Sequence, residues 1–193
     1  MIRSNDLLRE IERQAIMLET IKINNEVIEL LQFLWQTVAQ GSKVTEDYLV
    51  DILDKPAMDV IYTDDFTKQS AQTALSAVVN KEPLNNASKK DEEFFQFNFF
   101  NADDPGNCEM LLPVVKQLNV DELKEEFSGD TAFTDVKINF VGAYDQSYWI
   151  NDNVLTLNFF KLGVDWSDMD NVLLDGTPLK TYIKERLQEM LEK

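Results

Sequence analysis

The sequence predicts an α+β fold, in which an N-terminal helical, bundle-like region is followed by a small antiparallel sheet with a C-terminal helix. Through the first 80 residues, apolar side chains recur at three- and four-residue steps, which is the spacing of amphipathic helices. Further along the chain, apolar residues mostly alternate with polar ones, as in half-buried strands. Helices followed by strands, rather than alternating with them, are typical of the α+β class.

Four helices are predicted in the first part of the chain. The first has an apolar stripe over residues 7–21, and the second has one over residues 27–38. Gly41 stands where a left-handed residue commonly ends a helix. A third helix is predicted over residues 45–53, with Thr45 as its N-cap, and a fourth over residues 63–80.

The second part is predicted to hold four strands, two helices and a tight turn. Apolar residues alternate over residues 136–140 and 155–159, and these two strands are predicted to pair as an antiparallel hairpin. The other predicted elements are a strand at Phe95–Phe99, a turn at Asp104–Asn107, a short helix at 121–127, a strand at Val172–Leu174, and a terminal helix with Thr177 as N-cap and Pro178 as first residue.

Charge and composition divide the chain into two predicted domains. The 193 residues carry a net charge of −17. The first 90 residues have 14 acidic and 10 basic residues, whereas the remaining 103 have 21 and 8. We therefore predict a helical region at 1–82, a linker or loop at 83–92, and an acidic α+β domain at 93–193.

The composition excludes several classes of enzyme and site. Without histidine there is no Ser-His-Asp triad or Cys-His pair. The single cysteine, Cys108, excludes a Cys/His zinc site and an internal disulfide, and favours a reducing, cytoplasmic location. No cofactor is predicted, since no glycine-rich phosphate loop can be drawn. The start of the chain is too polar for a signal peptide, and no apolar run approaches the ~18 residues of a membrane span.

The stretch from Val27 to Ala74 resembles a helix-turn-helix or winged-helix arrangement. Thr45-Glu46-Asp47-Tyr48-Leu49 opens a helix after Gly41-Ser42, and the resemblance implies that the next segment would enter the DNA major groove. That segment, residues 56–62, has no basic residue and is followed by Asp64 and Asp65. Because carboxylates are repelled by phosphates, we expect ordinary helix packing and no direct binding of nucleic acid.

Two groups of acidic residues are the candidate partner-binding sites. Asp103, Asp104 and Glu109 form one group, and Asp165, Asp168 and Asp170 form the other. A strongly acidic surface attracts a basic protein, and its charges steer association. The leading hypothesis is a non-enzymatic protein that inhibits or shields a basic, nuclease-like or nucleic-acid-binding partner. An immunity protein, an antitoxin, an anti-defence factor and a DNA mimic all fit this description.

Three alternatives remain open from the sequence. A carboxylate-based hydrolase could use a pair of acids with Tyr148, Trp149 and Trp166 around a sugar, and an irregular Mg²⁺ or Ca²⁺ site could form over residues 165–175. A scaffold or complex subunit would bind through the helical half. Finally, the acidic residues could serve only to keep a phenylalanine-rich chain in solution.

Overall fold

A computed structural model describes residues 16–129 and 131–192 and shows a mixed α+β fold, as predicted. In those residues there are seven α-helices, three short 3₁₀ helices and seven strands. The α-helices are α1 (Glu26–Ala39), α2 (Glu46–Leu53), α3 (Lys68–Asn80), α4 (Lys89–Asp103), α5 (Leu112–Lys116), α6 (Leu123–Glu126) and α7 (Leu179–Leu191). The 3₁₀ helices are Pro56–Ile61, Pro105–Cys108 and Phe159–Lys161. The strands are β1 (Thr20–Asn24), β2 (Asp135–Val141), β3 (Tyr148–Asn151), β4 (Val154–Asn158), β5 (Leu162–Val164), β6 (Val172–Leu174) and β7 (Thr177–Pro178).

The predicted helices of the first part are largely confirmed, with two corrections, one of which is that the fourth helix begins at Lys68 and not at residue 63, because Thr67 is its N-cap. Helix α1 ends before Gly41, which has a φ of 77°, and Thr45 caps α2 by accepting a hydrogen bond from the Tyr48 amide. The first predicted helix lies mostly outside the described residues, and its extension to Ile21 is wrong. Ile21 lies in β1, because alternating β-branched residues favour an extended chain that can pair with β2.

The predicted strand at Phe95–Phe99 is wrong, because this segment lies inside helix α4. Ser88 begins the helix as its N-cap, in a capping box with Asp91. The buried Asn98 accepts a hydrogen bond of 3.0 Å from the Trp35 indole of α1. A run rich in phenylalanine fits both the two-residue and the 3.6-residue period, so its own pattern could not decide between strand and helix.

The four-stranded sheet has the order β1-β2-β4-β3. Strands β2 and β4 are parallel, so the predicted antiparallel hairpin between them is wrong. The antiparallel partner of β4 is β3, which pairs Tyr148 with Leu157. Along the chain, β3 follows β2 and precedes β4, and it runs antiparallel to β4. The chain therefore reverses direction twice, and β2 and β4 run in the same direction.

The smaller sheet is antiparallel and has the order β5-β6-β7. It contains the predicted strand Val172–Leu174. The predicted start of the terminal helix is corrected, since Thr177 and Pro178 form β7 and the helix begins at Leu179.

One cluster of buried apolar side chains includes residues from both halves of the chain. Ala57, Met58 and Ile61, in the segment that resembled a DNA-reading element, belong to it. The proposed division at residues 83–92 stays a prediction, and residues 89–92 form the first turn of α4. Within the described part of the chain, no helix is both long and apolar enough to cross a membrane.

We expect Gly142→Ala to lower the free energy of unfolding by about 1–3 kcal/mol, the usual effect of overpacking a core. A Cβ at this position would lie 2.7 Å from the Phe160 ring and 2.9 Å from Leu31. A shift of this ring would disturb its contacts with the rings of Trp35 and Phe97. Urea denaturation measures the effect, with Gly163→Ala as the control, because a Cβ there meets nothing within 4 Å. Equal losses for the two variants would contradict this view of the core.

Candidate protein-interaction site

Residues Asp165–Asn171 form a loop between β5 and β6, which we call the acidic loop. Its shape is fixed from within by backbone hydrogen bonds, from Asp168 N to Asp165 O (3.1 Å) and from Asn171 N to Asp168 O (2.9 Å). The Asp165 carboxylate also accepts hydrogen bonds from the Ser167 hydroxyl (2.6 Å) and amide (2.9 Å). The hydroxyl bond is the main cause of a lowered pKa at Asp165. The charge of Asp165 therefore helps to build the loop.

Two large apolar side chains project from this loop into solvent. Trp166 is 81% exposed and Met169 is 54% exposed. Tryptophan is normally well buried, so such exposure on a loop with a fixed shape is unusual. Tryptophan is also among the residues that contribute most to protein–protein binding. The acidic loop therefore presents side chains suited to a partner's surface.

An open groove of ≈ 570 Å³, which we call the methionine groove, lies beside this loop. Its apolar lining comes from helix α5 with its flanking residues and from the acidic loop. Of these side chains, Met110 is 37% exposed. The apolar lining residues are Met110, Pro113, Val114, Leu118 and Met169.

The polar lining of the methionine groove includes Glu109, Asp170 and Lys180. Lys180 forms an ion pair of 2.7 Å with Glu122, so its charge is compensated locally. In the part of the chain that the structure describes, no ion pair involves Glu109 or Asp170. The groove therefore combines an apolar lining with two carboxylates that are not neutralised by a neighbouring cation.

The structure joins the two predicted acidic groups in part. Glu109 and Asp170, one from each group, line the methionine groove, and Asp168 lies in the adjoining acidic loop. Asp103 and Asp104 do not line it. Asp104 accepts a hydrogen bond of 2.9 Å from the Gly106 amide and thereby begins the turn at Pro105–Cys108, which confirms the predicted turn. A role in partner binding for any of the six residues stays a prediction.

Sequence reasoning missed the apolar part of this site. Met110, Val114 and Leu118 lie where the sequence predicts no helix or strand, and Met169 lies among residues 165–175, for which the sequence suggests only acidic or metal-binding roles. The spacing of these three at steps of four is a helical signal that was available. In the acidic loop, the signal was a tryptophan and a methionine between aspartates in a segment too polar to enter the core.

A second cavity, of ≈ 590 Å³, bears on the hydrolase alternative, because it is lined by Asp175, Glu189, Tyr148 and Trp149. Both carboxylates already have side-chain partners: Glu189 accepts from Arg186 at 3.1 Å, and Asp175 accepts from Tyr182 at 3.3 Å.

These residues belong to a larger stacked cluster beside strand β3. The Arg186 guanidinium lies 4.8 Å from the centre of the Tyr148 ring. Burial raises the pKa of Tyr182 to about 12, so its hydroxyl stays a donor at neutral pH. This cluster attaches helix α7 to β3. Trp166, which the hydrolase alternative placed around a sugar, does not line the second cavity.

The structure also bears on two other kinds of site, a metal ion held by carboxylates and a cysteine nucleophile. Among residues 16–129 and 131–192, no three His, Cys, Asp or Glu side chains are grouped closely enough to hold a metal ion. Cys108 is 2% exposed, and burial raises the pKa of its thiol to about 11. A buried thiol that stays protonated at neutral pH is a poor nucleophile.

Comparison of the chain with family models, with curated proteins and with solved structures finds no match.

Proposed function

We propose that this chain is a binding protein for a basic protein partner, which it contacts through the acidic loop and the methionine groove. The observation that carries the proposal is the exposure of Trp166 and Met169 on a loop whose shape is fixed by its own hydrogen bonds. A loop backbone that has its shape before binding loses little conformational freedom in the complex, which favours affinity. Asp168 and Asp170 stand on either side of Met169 in the sequence and add negative charge to the loop that carries these apolar anchors.

The apolar and acidic residues have different tasks in this proposal. Trp166 and Met169 supply most of the affinity, because large apolar side chains dominate binding energy when they become desolvated. The carboxylates and the net charge of −17 speed the encounter with a basic surface and disfavour acidic partners. Inhibition or shielding of the partner, in the manner of an immunity protein, antitoxin, anti-defence factor or DNA mimic, belongs to the same proposal, as does a cytoplasmic location.

The scaffold alternative has an observation of its own. Phe33 on α1 is 55% exposed, and Phe99 and Phe100 on α4 are 38% and 60% exposed. Exposed aromatic residues on helices can mark a contact with another protein. None of the three lines the methionine groove, so substitutions can separate the two hypotheses.

Charge reversal tests the role of the acidic loop. The partner is first captured from a lysate of the source organism on the immobilised wild-type protein and identified. We then expect Asp168→Lys/Asp170→Lys to slow association about tenfold at about 50 mM salt and to reduce its dependence on salt, because steering by exposed charges is screened. Asp165 is left unchanged, since its carboxylate accepts two hydrogen bonds from Ser167, whereas the Asp168 carboxylate accepts one longer bond of 3.2 Å from the Asp170 amide. Stopped-flow or surface-plasmon-resonance kinetics measure the association rate.

The matched control is Asp59→Lys/Asp64→Lys. It makes the same change in net charge at exposed positions that do not line the methionine groove. If the control slows association as much as the loop variant does, only the net charge matters, and the proposed location of the site is wrong.

A further inference from the structure

The lining of the methionine groove includes a row of side chains from the short helix α5 and from the residues on either side of it. Met110, Pro113, Val114, Gln117 and Leu118 follow the spacing i, i+3, i+4, i+7, i+8 and all face the groove. Pro113 and Gln117 are exposed, and Val114 and Leu118 are half-buried. A stripe of this kind normally packs against another element, and side chains along a helix form ridges that fit the grooves of a second helix. Met169 of the acidic loop also lines the groove.

We propose, on the basis of the proposed function above, that the methionine groove takes a basic amphipathic helix of the partner. The apolar face of that helix lies on Met110, Val114 and Leu118, and its Lys or Arg side chains pair with Glu109 and Asp170. Helix-in-groove recognition of this kind uses apolar anchors at i, i+3, i+4 and i+7 on the bound helix.

Charge decides which amphipathic helix fits the groove. Glu109 and Asp170 have no ion pair among the described residues, while Lys180 is already paired with Glu122. A basic helix gives both free carboxylates a partner. An acidic helix would place like charges at both positions, which disfavours binding.

The methionines suit a helix of variable sequence. Their side chains are unbranched and polarisable, so they adapt to apolar side chains of different shape. Met110 comes from the segment before α5 and Met169 from the acidic loop, so the groove can adjust to the bound helix at both of these segments.

The test uses NMR of the full chain labelled with ¹³C at the methionine methyl groups. The probe is a synthetic Leu/Lys peptide of about 18 residues, which forms an amphipathic helix of about five turns. We expect saturable shifts of the Met110 and Met169 signals. Met17 is 49% exposed but does not line the groove, and Met58 is buried, so their signals serve as internal references. A scrambled peptide of the same composition and a Leu/Glu helix are expected to bind at least about tenfold more weakly.

Glu109→Lys/Asp170→Lys is the matched protein variant, and it changes two exposed residues that make no ion pair in the described structure. It is expected to weaken binding of the Leu/Lys peptide about tenfold, with unchanged reference signals from Met58. The inference is overturned if the scrambled or acidic peptide binds equally well, if this variant binds with full affinity, or if Met17 shifts in place of Met110 and Met169. If the identified partner needs Trp166 but the peptide shifts neither groove methionine, the inference fails and the proposed function stands. If the partner binds equally well without Trp166, both fail.

Discussion

Asn158→Leu is expected to lower the free energy of unfolding by about 4 kcal/mol, the largest effect on stability among our predictions. Asn158 is fully buried at the end of β4. Its amide nitrogen donates to the carbonyls of Tyr144 (2.6 Å) and Gln146 (2.8 Å). Its oxygen accepts from the amides of Ala143 (3.2 Å) and Phe160 (3.1 Å). Leucine would leave four backbone groups without these partners, and each buried group left unpaired costs about 1–3 kcal/mol.

Urea denaturation followed by circular dichroism measures this loss, and Asn85→Leu is the control. Asn85 is exposed in the turn between α3 and α4, so the same exchange there is expected to change stability by about 0.5 kcal/mol or less. A loss below about 1 kcal/mol for Asn158→Leu would show that this side chain does not hold the connection between β2 and β3 in place.

Trp166→Ala is expected to weaken binding of the identified partner by about 30-fold or more, which is the loss of a typical hot-spot residue. The side chain is 81% exposed in the free protein, so its removal leaves no hole in the core. The loss should therefore appear in binding and not in folding. Titration calorimetry measures the dissociation constant, and thermal unfolding of the free variant checks that its fold is retained.

The control for this substitution is Phe33→Ala. Phe33 is also an exposed aromatic residue, at 55%, but it lies on α1 and outside the methionine groove. We expect its substitution to change the affinity by about twofold or less, as for a residue outside the interface. The reverse result, a large loss for Phe33→Ala and none for Trp166→Ala, would favour the scaffold alternative.

The parts of the fold that were predicted correctly have local signals that agree with their tertiary contacts. Helices α1 and α2 combine a regular apolar stripe with Gly41 or Thr45 at an end, and both signals act within a few residues. Strand β2 alternates apolar and polar residues over most of its length. In these elements the residues that the pattern placed in the core are buried.

The parts that were predicted wrongly depend on contacts between distant residues. The segment Phe94–Phe100 fits both the two-residue period of a strand and the 3.6-residue period of a helix. It forms a helix that packs against α1, and this packing includes the hydrogen bond between Asn98 and Trp35. The parallel pairing of β2 with β4 follows from the insertion of β3 beside β4, which no pattern within either strand encodes. Strand order is a property of the whole chain, and local periodicity does not contain it.

The candidate site was predictable in its charge but not in its geometry. Glu109 and Asp170 were chosen because acidic residues are dense around them, while their position on one groove depends on how α5 packs near the loop between β5 and β6. Asp165 and Asp168 each accept a hydrogen bond from a backbone amide of the loop, and the sequence could not show that Asp165 also accepts one from the Ser167 hydroxyl. The density of acidic residues in the sequence indicated the region of the candidate site, whereas the role of each residue within it depends on side-chain geometry.

The most direct test of the central claim is the dissociation constant of the identified partner, measured in parallel for the wild type, Trp166→Ala and Asp59→Lys/Asp64→Lys. The protein contacts its partner through the acidic loop, so Trp166→Ala should bind about 30-fold or more weakly. The charge-reversed control should stay much closer to the wild type at about 150 mM salt, where distant surface charges are screened. Equal affinity of Trp166→Ala and the wild type would contradict the account.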